Sequence, residues 1–175
     1  NNQFDFDKYT LIPQPLNGAG VRDLSTEIFS QHISLPVMIG PTGLSGLFWP
    51  DGERETAKAA KSIGTGFCLS HGSVCTIEEM AAVNISPRWM QVFIYKDRGF
   101  TREFCERAYV PGFDALVLTV DNQVPGKRER DLVNGFTIPP NFSPWSYLKM
   151  ISKYKWLWRM RSALKEVTFG NYARL

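Results

Sequence analysis

At 175 residues, with 43% hydrophobic and 21% charged, the chain is long and apolar enough for one domain with a real core, which excludes a disordered protein. The net charge of +3 is mild and no nucleic-acid-binding motif accompanies it, so nucleic acid is not expected as a partner. Cys68, Cys75 and Cys105 lack metal-ligand spacing and read as packing residues in a reducing compartment, and no apolar run approaches the ~20 residues of a membrane span.

The opening, NNQFDFDKY, has no basic-then-apolar signal pattern, and a cytoplasmic location is expected. Residues 1–34 carry Pro13, Pro15, Gly18 and Gly20 without a clear period and read as an irregular lead-in. A short strand is expected at 35–39, ended by the sharp turn Gly40-Pro41-Thr42-Gly43. Asp51 stands as N-cap before ERETAKAAKS, a run of good helix formers closed by Gly64.

A second strand is expected at 65–69, ending at Ser70-His71. Thr76-Ile77-Glu78-Glu79 is a capping box that opens the next helix. Residues 88–95, RWMQVFIY, give a third strand, and Gln91 is a polar residue inside this apolar run. A buried amide needs partners for two donors and an acceptor, so Gln91 is either tied to backbone or available to a ligand. Thr101 is expected to cap a third helix, stopped by Pro111-Gly112.

The fourth strand, 115–120, is an unbroken apolar run of the kind buried on both faces of a parallel sheet. It ends at Asp121, with Lys127, Arg128 and Arg130 close behind. An acid at a strand tip with an arginine beyond can hold a hydroxyl and a carboxylate of one small ligand. The same residues serve equally as a turn aspartate with solvated charges.

Strands spaced 20 to 30 residues apart with helices between them predict a parallel sheet, open or closed into a barrel. No G-x-G-x-x-G or G-x-x-x-x-G-K-[ST] turn is present. Thr42, Ser70, Gln91 and Asp121 lie at or near four strand ends, which favours the barrel.

Residues 141–175 form a distinct segment. Ser143-Pro144 is a good helix start, and 141–165 holds three tryptophans, two tyrosines and six basic residues with no acid. That composition suits a helix on an anionic membrane surface, and equally one packing its aromatics on the protein or a neighbouring subunit.

The segments GPTGLSGLFWPDGERETAKAA, GFCLSHGSVCTIEEMA, RWMQVFIYKDRG and ALVLTVDNQVPGKRERDLVNGFTIPP resemble, in order and spacing, the FMN-dependent α-hydroxy-acid dehydrogenases. The family includes glycolate oxidase, flavocytochrome b2, and bacterial L-lactate and mandelate dehydrogenases. The resemblance implies a TIM (β/α)8 barrel, of which residues 1–140 would supply about the first four βα units, with 141–175 inserted after strand four. It implies FMN as cofactor and oxidation of an L-2-hydroxy acid to a 2-oxo acid by hydride transfer to flavin.

By the same resemblance, Pro41, Thr42 and Gly43 pass along the flavin, Ser70 contacts its ring, and Gln91 and Thr119 bond its pyrimidine side. Asp121 pairs with the catalytic histidine, and Arg128 lies near the substrate carboxylate. Phe93 stands where the family has a tyrosine that reaches the substrate. His71 replaces a small residue and reads as a loop residue with some chance of touching flavin or substrate.

The sequence stops at Leu175, before the motif that carries the family's catalytic base, so it is expected to be a fragment with negligible activity alone. A membrane surface, a quinone or other electron acceptor and, at full length, further copies of the chain are the expected partners. The expected location is peripheral, on the inner face of the cell membrane. The competing readings are a non-catalytic membrane- or partner-binding remnant, and another FMN-dependent barrel oxidoreductase.

Overall fold

The computed structural model describes residues 2–16, 18, 20–121, 124, 126–138, 140, 144–165 and 167–172. Ser143, the expected cap of the aromatic segment, lies outside the described residues.

The lead-in is more ordered than expected. A short helix α1 (Asn2–Phe6) precedes an antiparallel hairpin, β1 (Thr26–Ile28) and β2 (Gln31–Ile33). The hairpin turns at Phe29 and Ser30, both at positive φ (48° and 60°). Such turns usually announce themselves as Asn-Gly. Here the turn has neither residue, and the largely exposed Phe29 ring lies 5.6 Å from that of Trp89. His32 is exposed on β2.

The parallel sheet follows in the order β3 (Phe67–Leu69), β4 (Arg88–Val92), β5 (Ala115–Leu118). The expected strand at 35–39 contributes a single parallel bridge, Ile39 to Phe67, on the β3 side. Between the strands run α2 (Gly52–Ser62), α3 (Ile77–Ala81) and α4 (Arg98–Tyr109). Ala57, Ala60, Leu69, Met80, Met90 and Phe104 form the centre of the core between helices and sheet.

β5 departs from the reading as a strand buried on both faces. Leu116 and Leu118 are half exposed and alternate with partly buried neighbours. Among the described residues β5 pairs only with β4, so its outer face has nothing to pack on.

The capping box of α3 is present in full, with Thr76 Oγ1 accepting from Glu79 N and Glu79 Oε2 accepting from Thr76 N. The cap of α4 is Asp97, not Thr101. The Asp97 carboxylate accepts from Gly99 N and Phe100 N. Thr101 is buried one turn in, where its hydroxyl accepts from Tyr95 N at 3.0 Å. An ionised acceptor at the helix start is the stronger cap. Asp51 holds the N-cap position of α2 but makes no cap bond. Its carboxylate is taken by Arg54.

The hairpin sits at the N-terminal ends of the parallel strands. Gln31 Nε2 donates to Asp114 Oδ1 at 2.7 Å, and Asp114 Oδ2 accepts from Arg88 N at 2.6 Å. The opposite, C-terminal ends of the strands are left to the loops that carry the site.

Past β5 come α5 (Glu129–Asn134), α6 (Pro144–Met150) and α7 (Tyr154–Met160), the last two joined by a tight turn at Ile151–Lys153. The expected aromatic helix is therefore broken in two. α7 packs one face back on the protein, with Met160 fully buried and Trp156 Nε1 donating to Phe48 O at 2.8 Å. The chain then returns to the core through Val167 and the segment 169–172.

Candidate active site

Gln91 lies near the C-terminal end of β4 and is buried at 3% exposure. Its Oε1 accepts from the backbone N–H of His71 at 3.2 Å and from His71 Nδ1 at 2.7 Å. A backbone N–H only donates, so this bond fixes which amide atom is oxygen. The His71 proton therefore sits on Nδ1. Gln91 Nε2 donates to Thr119 Oγ1, just past β5, at 3.0 Å. Thr119 N continues the ladder to Val92 O. One buried amide thus connects the ends of three adjacent strands.

Ser70 follows β3 directly and is buried, with its Oγ accepting from Gly72 N at 3.2 Å. The turn holding Pro41, Thr42 and Gly43 is exposed and lies against this loop, because Leu44 N donates to Gly72 O at 3.0 Å. A Cβ on Gly43 would stand 3.3 Å from that carbonyl, so glycine lets the two backbones meet.

These ends open on a cleft of about 610 Å³ lined by His71, Phe93, Tyr95, Thr119, Val120 and Tyr172, among others. The His71 ring stands edge-on to Phe93 at 4.4 Å between centroids. Tyr95 and Tyr172 join hydroxyl to hydroxyl. Burial pulls the His71 pKa below the usual histidine value, against a smaller opposing effect of the Gln91 bond. The imidazole is therefore neutral at pH 7. Burial likewise raises both tyrosine hydroxyls above their ordinary range, so they remain protonated.

Of the residues picked out in the sequence, Ser70, Gln91 and Thr119 are gathered at the strand ends, and Phe93 and Thr119 line the cleft. Asp121 and Arg128 are exposed, Arg128 immediately before α5, and neither lines it. Sequence reasoning passed over Tyr95 and Tyr172 and gave His71 a loop role with some chance of touching flavin or substrate. The partner of Tyr95 is 77 positions away, beyond any local pattern. A histidine directly after Ser70 was the one available signal.

Small ligands of parallel βα proteins bind beyond the carboxyl ends of the strands. The polar groups here converge at that end, in an α/β protein with a parallel sheet. Residues 1–174 match the family model for FMN-dependent dehydrogenase, and the chain belongs to that family. It is 39% identical over 170 residues to the L-lactate dehydrogenase of Ectopseudomonas mendocina (strain ymp), which covers 97% of this chain and 45% of that one. Its fold is similar to that of the monotopic membrane protein (S)-mandelate dehydrogenase, with TM-score 0.81, 32% identity, and coverage of 91% of this chain and 42% of that one. It is also similar to a lactate oxidase of Pediococcus acidilactici, with TM-score 0.73, 31% identity, and coverage of 89% and 43%. The solved relatives are TIM-barrel flavoenzymes, and this chain has the open sheet of a part of one. The chain spans less than half the length of the curated relatives it matches.

Proposed function

We propose that this chain supplies the flavin-edge half of an FMN-dependent 2-hydroxy-acid dehydrogenase, with an L-lactate-like acid as substrate. The observation that carries the reading is the Gln91 amide bridging His71 and Thr119 at the strand ends, with Ser70 buried beside the neighbouring turn. The donor set suits the cofactor. A flavin ring is flat, with alternating donors and acceptors along its pyrimidine edge. An amide and a hydroxyl held side by side match such an edge.

Gln91 and Thr119 would hold the pyrimidine edge, Ser70 the ring, and the backbone of Pro41, Thr42 and Gly43 its length. FMN, when bound, supplies a two-electron acceptor for the hydride that leaves the substrate α-carbon. Phe93 lines the substrate side of the cleft as an apolar wall. Arg128 offers a guanidinium fork to the substrate carboxylate, and Asp121 stabilises a protonated histidine base carried elsewhere in the full protein. Both are exposed here, so each role needs Asp121 and Arg128 to face the substrate in the full protein.

The segment from 144 to 161 supports peripheral contact with the inner face of the cell membrane. Trp145, Leu148, Ile151, Tyr154 and Trp158 are all more than half exposed, among Lys153, Lys155, Arg159 and Arg161. No described helix is long and apolar enough to cross a membrane. Surface contact favours a quinone as electron acceptor. Full-length protein is expected to associate with copies of itself. A second reading, a flavin barrel acting on a different acid, is favoured by Phe93, which lacks the hydroxyl that the family resemblance expects.

The test is the full-length protein purified with its flavin. Lactate, glycolate and mandelate are assayed with a quinone analogue and with oxygen. Turnover of a 2-hydroxy acid is expected. Flavin retention without turnover of any of the three would favour the second reading, and absence of flavin would remove both.

A further inference from the structure

The loop between Gly43 and α2 carries two large aromatic side chains that neither the cleft nor the core uses. Phe48 is 65% exposed and Trp49 47%. The backbone beneath them is closed on itself. Phe48 N and Trp49 N both donate to Ser45 O, and Gly52 N donates to Trp49 O. The two rings therefore stand out from an ordered turn.

This turn is fixed to the aromatic, cationic segment that follows β5. Trp156 Nε1 donates to the backbone oxygen of Phe48 at 2.8 Å, and the Arg159 guanidinium lies 4.8 Å from the Trp49 ring centroid. Arg159 also lines an open groove along α7 with Ile151, Tyr154 and Trp158. The exposed aromatics of the two segments thus meet at Arg159 on one surface. The same stacking recurs within it, where Arg161 lies 3.9 Å over Trp158. A guanidinium stacked on an indole keeps N–H groups at its rim for an anion while the ring meets apolar matter.

Charge selects what this surface meets. Residues 144–165 contain no acid. The acids beside the turn are already matched, Asp51 by Arg54 and Glu55 by Lys58. A second copy docked face to face would set like charges together, whereas lipid phosphates meet them with opposite sign.

We propose that Phe48 and Trp49 belong to the membrane-facing surface, so that an anionic bilayer is held by two separate stretches of chain, this turn and α7. The inference rests on the peripheral-membrane reading above and adds to it a part of the protein outside 144–161.

The test is co-sedimentation of full-length protein with vesicles of phosphatidylglycerol and phosphatidylcholine. Phe48→Ser removes the ring and keeps the backbone oxygen that Trp156 uses, so its melting temperature and flavin content should match wild type. Its vesicle affinity should fall roughly ten-fold, the loss of one phenyl ring from the interface. In wild type, which needs no substitution, amide exchange across 44–52 should slow when vesicles are added. Wild-type affinity in Phe48→Ser, or unchanged exchange across 44–52 in protein that binds vesicles, overturns the inference and leaves the peripheral reading intact. A smaller assembly of Phe48→Ser in gel filtration, with vesicle binding unchanged, assigns the face to a second copy and overturns it too. Wild type that stays off the vesicles overturns both the inference and the reading.

Discussion

Asn171 Oδ1 accepts the backbone N–H of Ile77 at 2.9 Å, joining positions 94 residues apart across the first turn of α3. The rest of the Asn171 side chain is equally engaged. Its Nδ2 donates to Ser73 Oγ at 3.1 Å and Cys75 O at 3.4 Å, and Arg107 Nη2 donates to Oδ1 at 3.2 Å. The residue is fully buried and immediately precedes Tyr172, so it seats the tyrosine that closes one side of the cleft.

Asn171→Ala therefore strands the Ile77 N–H in the core, while Cys75 O keeps its bond from Ser73 Oγ. A buried orphan costs on the order of 1–3 kcal/mol, and the variant should lose roughly that much stability. Urea unfolding of full-length protein measures it. A loss below about 0.5 kcal/mol would show that water replaces the side chain without cost.

Glu78 receives both Nε and Nη2 of Arg107, at 2.9 and 3.0 Å. That pairing holds its carboxyl down to about 2, from an ordinary value of 4.5. A folded-state value below the unfolded one means the ion pair stabilises above about pH 4.5, and that this is lost as pH falls toward 2. With 42% of the side chain exposed, screening keeps the effect to no more than about 1 kcal/mol. Glu78→Gln should flatten the decline of melting temperature between pH 5 and pH 3, roughly the window this linkage sets. An unchanged slope would assign acid sensitivity to other carboxylates.

Aromatic residues of the 144–161 segment divide between two faces. Trp145 and Trp158 are exposed, whereas Trp156 is tied to Phe48 O. Trp145→Ser with Trp158→Ser should abolish salt-sensitive binding of full-length protein to anionic vesicles with little effect on melting temperature. Trp156→Ser should lower the melting temperature instead. Equal vesicle binding by wild type and the double variant in co-sedimentation would remove the membrane role.

The sequence carried the parts of this site that are local. Gln91 was conspicuous as an amide inside an apolar run, and the capping box at Thr76 places the loop after β3. Three things were not legible. The hairpin turn uses Phe29 and Ser30 at positive φ, without Gly or Asn, and its ring contact is with the distant Trp89. Thr101 looked like a helix cap, but Asp97, four residues earlier, offers the better acceptor. The cleft depends on Asn171 and Tyr172, which return from the far end of the chain after a segment read only for its aromatic surface. Contacts of that separation leave no periodicity to find.

The central claim is that Gln91 and its neighbours form the edge of a flavin site, and FMN binding measures it most directly. Apo full-length protein is titrated with FMN, followed by quenching of flavin fluorescence, for wild type and for Gln91→Met. Wild type is expected to bind one FMN per chain, and Gln91→Met to bind at least roughly ten-fold more weakly, the loss of one or two hydrogen bonds. A wild-type protein that leaves FMN fluorescence unchanged, or a Gln91→Met variant that binds FMN as tightly as wild type, would contradict it.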